Sequence, residues 1–127
     1  IELLTQNETV HIIAQSYIKE AVKGDKRILL LNGMPLGAIY RINPNQGHRH
    51  NIFAGGVTKP AKITSNDQQI INHLAPYLKK LGLFFVGIDI LDDKLIEVNV
   101  TSPTCLQEMS RYLGKDLGKK IFNTLPI

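Results

Sequence analysis

Hydrophobic runs separated by turn residues divide the chain into short strands. Residues 10–18 and 26–31 are rich in Val, Ile and Leu, and each is long enough for one strand. The Asn32-Gly33 pair is a strong turn signal, and residues 35–42 would return from it as the second strand of a hairpin. A further apolar strand at residues 86–90 is followed by a polar turn and a second return strand. The pattern therefore predicts antiparallel hairpins.

Helical spacing is found in two other parts of the chain. Residues 64–81 are the clearest helix, with a cap candidate at Thr64 or Ser65. Its apolar side chains recur at helical intervals: Ile70, Ile71, Leu74, Tyr77, Leu78 and Leu81. The C-terminal tail predicts two short helices separated around Gly114, and the polar, glycine-containing residues 43–56 predict a long mobile loop. Hairpins combined with helices indicate an α+β fold, an antiparallel β-sheet packed against helices.

One acid lies inside the central hydrophobic strand. Asp89 has only apolar residues and one glycine within three positions before it, and an isolated carboxylate there would be costly to desolvate. On the next strand, Glu97 and Asn99 are two positions apart, so their side chains point to the same face. Carboxylate and amide oxygens are the hard ligands that suit Mg²⁺ or Mn²⁺. Asp89, Glu97 and Asn99 are therefore candidate metal ligands.

The length of the intervening turn decides whether these oxygens can meet. A three-residue loop of residues 92–94 would place Asp89 opposite Glu97, on the same face of the sheet. A two-residue loop of residues 92–93 would place Asp89 opposite Ile96 and would separate the two acids. The alternative to a metal site is a partly buried Asp89 paired with an arginine, with Glu97 and Asn99 as solvated strand residues.

Composition narrows the class of protein. A chain of 127 residues with 43% hydrophobic content is sufficient for one compact domain. The longest apolar run, residues 81–91, falls short of the roughly 20 residues that a membrane helix requires. The single cysteine, Cys105, excludes an internal disulfide and is compatible with a reducing compartment, so a cytoplasmic location is expected. A dispersed net charge of +4, no Trp and 6% aromatic residues give little support to a nucleic-acid partner, and no membrane partner is expected.

Several short motifs along the chain stand in an order that is typical of one family. They are Gly24-Asp25-Lys26-Arg27, Arg41-Ile42, Arg49 with Asn51, Gly55-Gly56, Gly87-Ile88-Asp89-Ile90 and Glu97-Val98-Asn99-Val100-Thr101-Ser102-Pro103-Thr104-Cys105. The last run is the most specific, and the similarity extends from about residue 14 to residue 125. The chain resembles the glutathione synthetase family of the ATP-grasp superfamily.

The resemblance implies an ATP site and a pair of arginines. The residues implied in ATP binding are the adenine hinge, an acid facing the ribose and one loop amide: Gln15, Ser16, Tyr17, Ile18, Asp25 and Asn51. Arg27 and Arg41 would act in catalysis by meeting the substrate carboxylate or the acyl phosphate, because a guanidinium donates two parallel hydrogen bonds. An ideal Asn32-Gly33 turn would leave these arginines on opposite faces, so convergence requires a bulge at residues 35–37. The alternative is two solvated strand arginines.

The resemblance also implies metal and substrate roles. Asp89, Glu97 and Asn99 would hold Mg²⁺ or Mn²⁺ that bridges the phosphates of ATP. The substrate-binding residues would be Arg27, Arg41, Arg49, Ser102 and Thr104. Helix capping is the alternative role of Ser102 and Thr104. Cys105 is expected to be a buried packing residue rather than a nucleophile.

The implied reaction joins γ-glutamylcysteine to glycine through an acyl phosphate, with ADP and phosphate released. Residues 1–127 would be the C-terminal ATP-grasp subdomain, without the family's N-terminal domain and central lid, and are expected to be inactive alone. The intact enzyme is expected to be a homodimer or homotetramer. The alternatives are another ATP-grasp ligase that adds an amino acid to a different acceptor, and a non-catalytic nucleotide-binding module.

Overall fold

A computed structural model describes residues 2–14, 16–42 and 57–125. Five strands form the sheet: β1 Asp25–Leu31, β2 Met34–Ile42, β3 Val57–Pro60, β4 Phe85–Leu91 and β5 Lys94–Asn99. The helices are α1 Glu2–Thr5, a 3₁₀ helix Lys19–Lys23, α2 Ser65–Lys80, α3 Leu106–Leu113 and α4 Leu117–Phe122. None of the described helices is long and apolar enough to cross a membrane. The predicted α+β fold, the helix after Thr64 and the two C-terminal helices are confirmed.

The sheet is antiparallel throughout, with the strand order β3-β2-β1-β4-β5. The strand predicted at residues 10–18 is wrong, because the described residues of that segment form no strand. Ile13 is 89% exposed, so the apolar residues there lack the neighbouring strand that a β-conformation needs. The short strand β3 was not predicted. The loop predicted at residues 43–56 lies outside the described residues.

Both hairpins combine a two-residue turn with a bulge. In the first, Leu31 pairs with Met34 across Asn32-Gly33, and the register then shifts so that Leu29 pairs with Gly37. The bulge predicted at residues 35–37 is confirmed, and Leu36 is its extra residue.

The turn of the second hairpin is shorter than the three-residue loop that would place Asp89 opposite Glu97. The turn consists of Asp92 and Asp93 alone, both with positive φ, so the three-residue loop is wrong. Asp89 nevertheless pairs with Glu97, because a bulge shifts the register after Ile90 and leaves Ile96 as the extra residue. The pairing was correctly anticipated, although its cause is a bulge rather than a longer loop.

Each face of the sheet has its own hydrophobic core. Alternation along β1 sends Ile28 and Leu30 towards α2 and Leu29 and Leu31 towards α3 and α4. The core on the α2 side consists of Ile28, Leu30, Ile71, Leu78, Val86, Ile88 and Ile90. The core on the other side consists of Leu29, Leu31, Leu36, Ile39, Cys105, Met109 and Leu117. At its other end, the same alternation sends Asp25 and Arg27 to the face of the second core, beyond the residues that α3 and α4 cover.

Candidate active site

Five polar side chains from four strands lie on the α3 face of the sheet. Asp25 lies opposite Arg41, and Arg27 lies opposite Asp89, which in turn lies opposite Glu97. Pairing directly across strands places these side chains on one face. The two bulges make this convergence possible, since without them Arg41 and Glu97 would point to the α2 side.

Asp89 is the centre of this cluster and is 1% exposed. Arg27 donates to both of its carboxylate oxygens, from Nε to Oδ1 and from Nη2 to Oδ2, the latter at 2.7 Å. Arg41 Nη2 lies 3.0 Å from Oδ2, and the Asn99 side-chain amide donates to the same oxygen at 3.3 Å. The alternative to a metal site was an Asp89 carboxylate paired with an arginine, and the structure contains that ion pair.

Arg41 connects Asp89 to a second buried carboxylate. Its Nε lies 3.2 and 3.1 Å from the two oxygens of Asp25, and its Nη2 also contacts Asp25. Burial by itself lowers the pKa of the Arg41 guanidinium, but the hydrogen bonds and charges of Asp25 and Asp89 outweigh it and raise the pKa. Arg41 is therefore a permanent cation shared by two acids.

The donor set fits a hard divalent cation. Glu97 is exposed and has no hydrogen bond or ion pair with any other described residue. Asn99 is paired with Gly87, one position along the same face from Asp89. Within residues 2–14, 16–42 and 57–125, no group of three His, Cys, Asp or Glu side chains is placed to hold a metal, so the amide oxygen of Asn99 would have to complete the site. Oxygen donors in this combination suit Mg²⁺ or Mn²⁺.

The segment after β5 contributes a hydroxyl group to the cluster. Arg27 Nη1 donates to Thr104 Oγ1 at 3.3 Å. The N-cap of α3 is Cys105 in the left-handed conformation, without a side-chain cap hydrogen bond, so the alternative that Thr104 caps this helix is wrong. Ser102 is exposed and does not cap the helix either.

Gly87 allows this segment to approach the sheet. A Cβ atom at position 87 would lie 2.7 Å from Cβ of Pro103 and 3.4 Å from Cδ of Arg27. The missing side chain therefore brings Thr104 within reach of Arg27. Cys105 is buried as expected, and burial raises the pKa of its thiol, which disfavours the nucleophilic thiolate.

The predicted hinge residues precede the sheet in an irregular segment. Ser16 and Tyr17 are exposed, the latter by 63%, and the carbonyl of Ile18 accepts a hydrogen bond from the Ala21 N–H at 3.0 Å. This bond opens the 3₁₀ helix that leads to Asp25. Three predicted site residues, Gln15, Arg49 and Asn51, lie outside the described residues.

Sequence reasoning missed the pairing of Asp25 with Arg41. The sequence contained a signal for this pairing. The residue numbers of opposite residues in an antiparallel pair have a constant sum, and Leu29 with Gly37 has the same sum as Asp25 with Arg41. Finding it required the exact position of the bulge. The contact of Thr104 with Arg27 had no comparable signal, because it depends on how the loop after β5 folds back.

Comparison with known proteins identifies close relatives. The family model for the prokaryotic glutathione synthetase ATP-grasp domain matches residues 1–114. Glutathione synthetase of Thermosynechococcus vestitus is 46% identical over 121 residues, which are 95% of this chain and 38% of the relative. Glutathione synthetase of Buchnera aphidicola is 43% identical over 126 residues, 98% of this chain and 39% of the relative. The chain thus spans about two fifths of the length of these relatives.

A likeness to solved structures supports the fold alone. D-alanine–D-alanine ligase from Bacillus anthracis, in complex with ATP, aligns with a TM-score of 0.58 at 18% sequence identity. The alignment covers 97% of this chain and 45% of that chain. The five-stranded antiparallel sheet with its helices therefore has the fold of part of that ligase, and the family model identifies it as an ATP-grasp domain.

Proposed function

Because the chain belongs to the prokaryotic glutathione synthetase family of ATP-grasp domains, we propose that it forms the metal- and substrate-binding part of an ATP-dependent ligase. The reaction is the joining of γ-glutamylcysteine to glycine. The observation that carries this proposal is the convergence of Arg27, Arg41, Asp89, Glu97 and Asn99 on one end of the sheet. Phosphoryl transfer from ATP requires positively charged side chains that bind the anionic substrates, and oxygen ligands that hold a divalent metal ion.

The reaction has two steps. The carboxylate of the dipeptide attacks the γ-phosphorus of ATP, the bond from that phosphorus to the bridging oxygen breaks, and ADP leaves. The glycine amine then attacks the acyl carbon, inorganic phosphate leaves with the electron pair of the broken C–O bond, and the nitrogen of the new amide loses a proton to the departing phosphate or to water. The enzyme must hold the two anions together and keep water from the acyl phosphate.

Arg27 and Arg41 are the groups that bind the reacting anions. Each guanidinium can donate two parallel hydrogen bonds to a carboxylate or phosphate, which the ammonium group of a lysine cannot. The Arg27 guanidinium reaches Thr104 as well, so the same arginine can orient the dipeptide through that hydroxyl group. Donors fixed before the reaction stabilise the charge that develops in the transition state.

Asp89, Glu97 and Asn99 are the residues that would hold Mg²⁺ or Mn²⁺. When bound, the cation neutralises phosphate charge and aligns the transferred group. Ser16, Tyr17 and Ile18 would bind adenine, and Asp25 would face the ribose, beside the arginines. Assembly as a homodimer or homotetramer and a cytoplasmic location belong to the same proposal.

A chimera tests the proposed reaction. The matched segment of the Thermosynechococcus vestitus relative is replaced by this chain, and ADP release is measured with different pairs of amino acid substrates. We expect ADP release with γ-glutamylcysteine and glycine, but not with two D-alanines. Release with another pair instead would assign the chain to a different ATP-grasp ligase, and a chimera that folds but releases no ADP with any pair would contradict a catalytic role.

The same chimera tests the proposed role of Arg27 in catalysis. Arg27→Ala should lower kcat by about 10²-fold or more, the usual loss when a donor to transition-state charge is removed. Lys94→Ala is the matched control, because it removes an exposed cation of the neighbouring hairpin that, among the described residues, pairs with Asp92 alone. A near-normal rate for Arg27→Ala would remove this residue from the catalytic machinery.

A further inference from the structure

Every oxygen of the Asp89 carboxylate is already engaged. Oδ1 accepts from Arg27, and Oδ2 accepts from Arg27, Arg41 and Asn99. The arginines are equally committed, since their donors point at Asp89, Asp25 and Thr104. The groups proposed to bind cation and anion thus neutralise one another in this structure.

We propose that Asp89 is an exchangeable counterion, which occupies donors of Arg27 and Arg41 until a divalent cation takes its carboxylate and frees those donors for an anion, while Arg41 stays paired with Asp25. This inference rests on the proposed function and adds to it a coupling between the two ligands. Cation binding prepares the anion site, and by thermodynamic reciprocity anion binding prepares the cation site to the same degree.

The physical reason is the cost of leaving a buried charge unpaired. Asp89 and Arg27 are 1% and 5% exposed, so removing Asp89 leaves the buried Arg27 cation with the Thr104 hydroxyl as its remaining side-chain partner among the described residues. A cation alone must separate Asp89 from two arginines, and an anion alone must separate two arginines from Asp89. When both ligands bind, Asp89 and the two arginines each obtain a new partner, and Asp25 keeps Arg41. The Asn99 amide takes part in the exchange, because its nitrogen faces Asp89 here and its oxygen would have to face a cation.

Nuclear magnetic resonance of the arginine side chains tests the exchange directly. The chain has four arginines, so the Nε–Hε spectrum is simple, and the signals of Arg27 and Arg41 are assigned by their loss in Arg→Lys variants. MgCl₂ is titrated against NaCl at matched ionic strength. We expect the Arg27 and Arg41 signals to shift and their Hε exchange with water to accelerate. Arg111, an exposed arginine paired with Glu108, is the internal control and should not respond.

Two different results would distinguish a failure of the exchange from a failure of the proposed metal site. Backbone signals of Glu97 and Asn99 that respond to Mg²⁺ while Arg27 and Arg41 stay unchanged would overturn the exchange and leave the metal site intact. No Mg²⁺-specific response at any of these residues would contradict the metal site itself, and with it both proposals.

A pair of charge-matched variants provides a second readout. Arg41→Gln removes a competitor of the cation and should tighten Mg²⁺ binding, measured by calorimetry, by about five- to tenfold. Lys94→Gln removes one positive charge of the neighbouring hairpin without touching Asp89, and should change the affinity by less than about twofold. Equal tightening in both variants would assign the effect to net charge and would overturn the exchange. If Arg41→Gln fails to fold, the spectroscopic titration of the unmodified chain decides the matter.

Discussion

Asp67 carries two structural tasks on the α2 side of the sheet. Its carboxylate accepts the Thr64 N–H at 2.8 Å, and the Thr64 hydroxyl accepts the Asp67 N–H at 3.2 Å, which completes a capping box. The same carboxylate accepts Lys26 Nζ at 2.6 Å, and the Lys26 ammonium also lies over the Tyr40 ring. One acid therefore begins α2 and fixes that helix to β1.

These contacts predict a pH dependence of stability. Burial raises the pKa of Asp67, but the hydrogen bonds from Lys26 and Thr64 outweigh it, so the pKa is lowered in the folded state. A lowered folded-state pKa stabilises the fold above the unfolded-state pKa, and this contribution is lost as the pH falls through about 4 and below. We expect the free energy of unfolding, measured with urea at a series of pH values, to decline over that interval less steeply in Asp67→Asn than in the wild type.

Asp116→Asn is the control for this experiment. Asp116 is an exposed carboxylate that caps α4 through the Lys119 N–H and has no buried lysine partner. Its substitution should leave the acid dependence close to that of the wild type. The same slope in the wild type and Asp67→Asn would show that Asp67 does not contribute to acid lability.

At the scale of single residues, the sequence predicted which groups would meet but not how they pair. The meeting of Arg27, Arg41 and Asp89 depended on a bulge that the sequence could require but not demonstrate. The capping role of Asp67 was missed although Thr64 and Asp67 stand at the spacing of a capping box. Its lysine partner was missed because cross-element ion pairs depend on the orientation of a helix on a sheet. That orientation is set by packing of both hydrophobic faces and leaves no local pattern.

At the scale of elements, one side-chain bond links α3 to the edge strand β3. The Tyr112 hydroxyl donates to the Thr58 carbonyl at 2.7 Å, and it lies 2.9 Å from the Thr58 hydroxyl. Thr58 lies directly opposite Arg41, which is a residue of β2. The helix thereby supports the strand that borders the arginine.

Loss of this bond should loosen β3 and the part of β2 that pairs with it. Tyr112→Phe should cost about 0.5–1.5 kcal/mol, the usual net value of a hydrogen bond. Hydrogen–deuterium exchange should become faster in β3 and in the facing part of β2, and stay unchanged in β4. Tyr77→Phe, on the exposed surface of α2, is the matched control. Unchanged exchange in β3 of Tyr112→Phe would show that the strand is held by its ladder and not by α3.

The elements with strong local signals were predicted best. Helix α2 has a capping box and continuous apolar spacing, and the first hairpin has an Asn-Gly turn, so local structure and packing agree. Strand β3 has only four residues, ends in Pro60 and depends on a partner strand, which explains why it escaped notice. Residues 10–18 had strand composition without a strand beside them.

At the scale of the whole molecule, the two faces of the sheet differ in the charges that they carry. The α2 side has a hydrophobic core and the buried Lys26–Asp67 pair, whereas the other side has a hydrophobic core beside α3 and α4 and the charged cluster around Asp89, which we propose binds the ligands. The curated relatives devote about three fifths of their length to residues beyond the matched segment. In the proposed ligase, those residues would supply the remaining walls of the site.

The 127-residue polypeptide alone is therefore expected to form no measurable glutathione. The assay is product formation from ATP, γ-glutamylcysteine and glycine, with cooperative urea unfolding as the control for folding. The chimera described above is the positive counterpart. Glutathione formation by the isolated polypeptide would refute the proposal that further residues complete the site.

The two bulges also limit how the hairpins of related proteins can vary in length. Loss of Leu36 or Ile96 would convert a bulged hairpin to a regular one and keep every later side chain on its present face. Loss of any other single residue between the turn and Arg41, or between the turn and Glu97, would invert the side chains that follow unless the bulge were lost with it. Gaps in alignments of this region should accordingly comprise one residue at these two positions and two residues elsewhere.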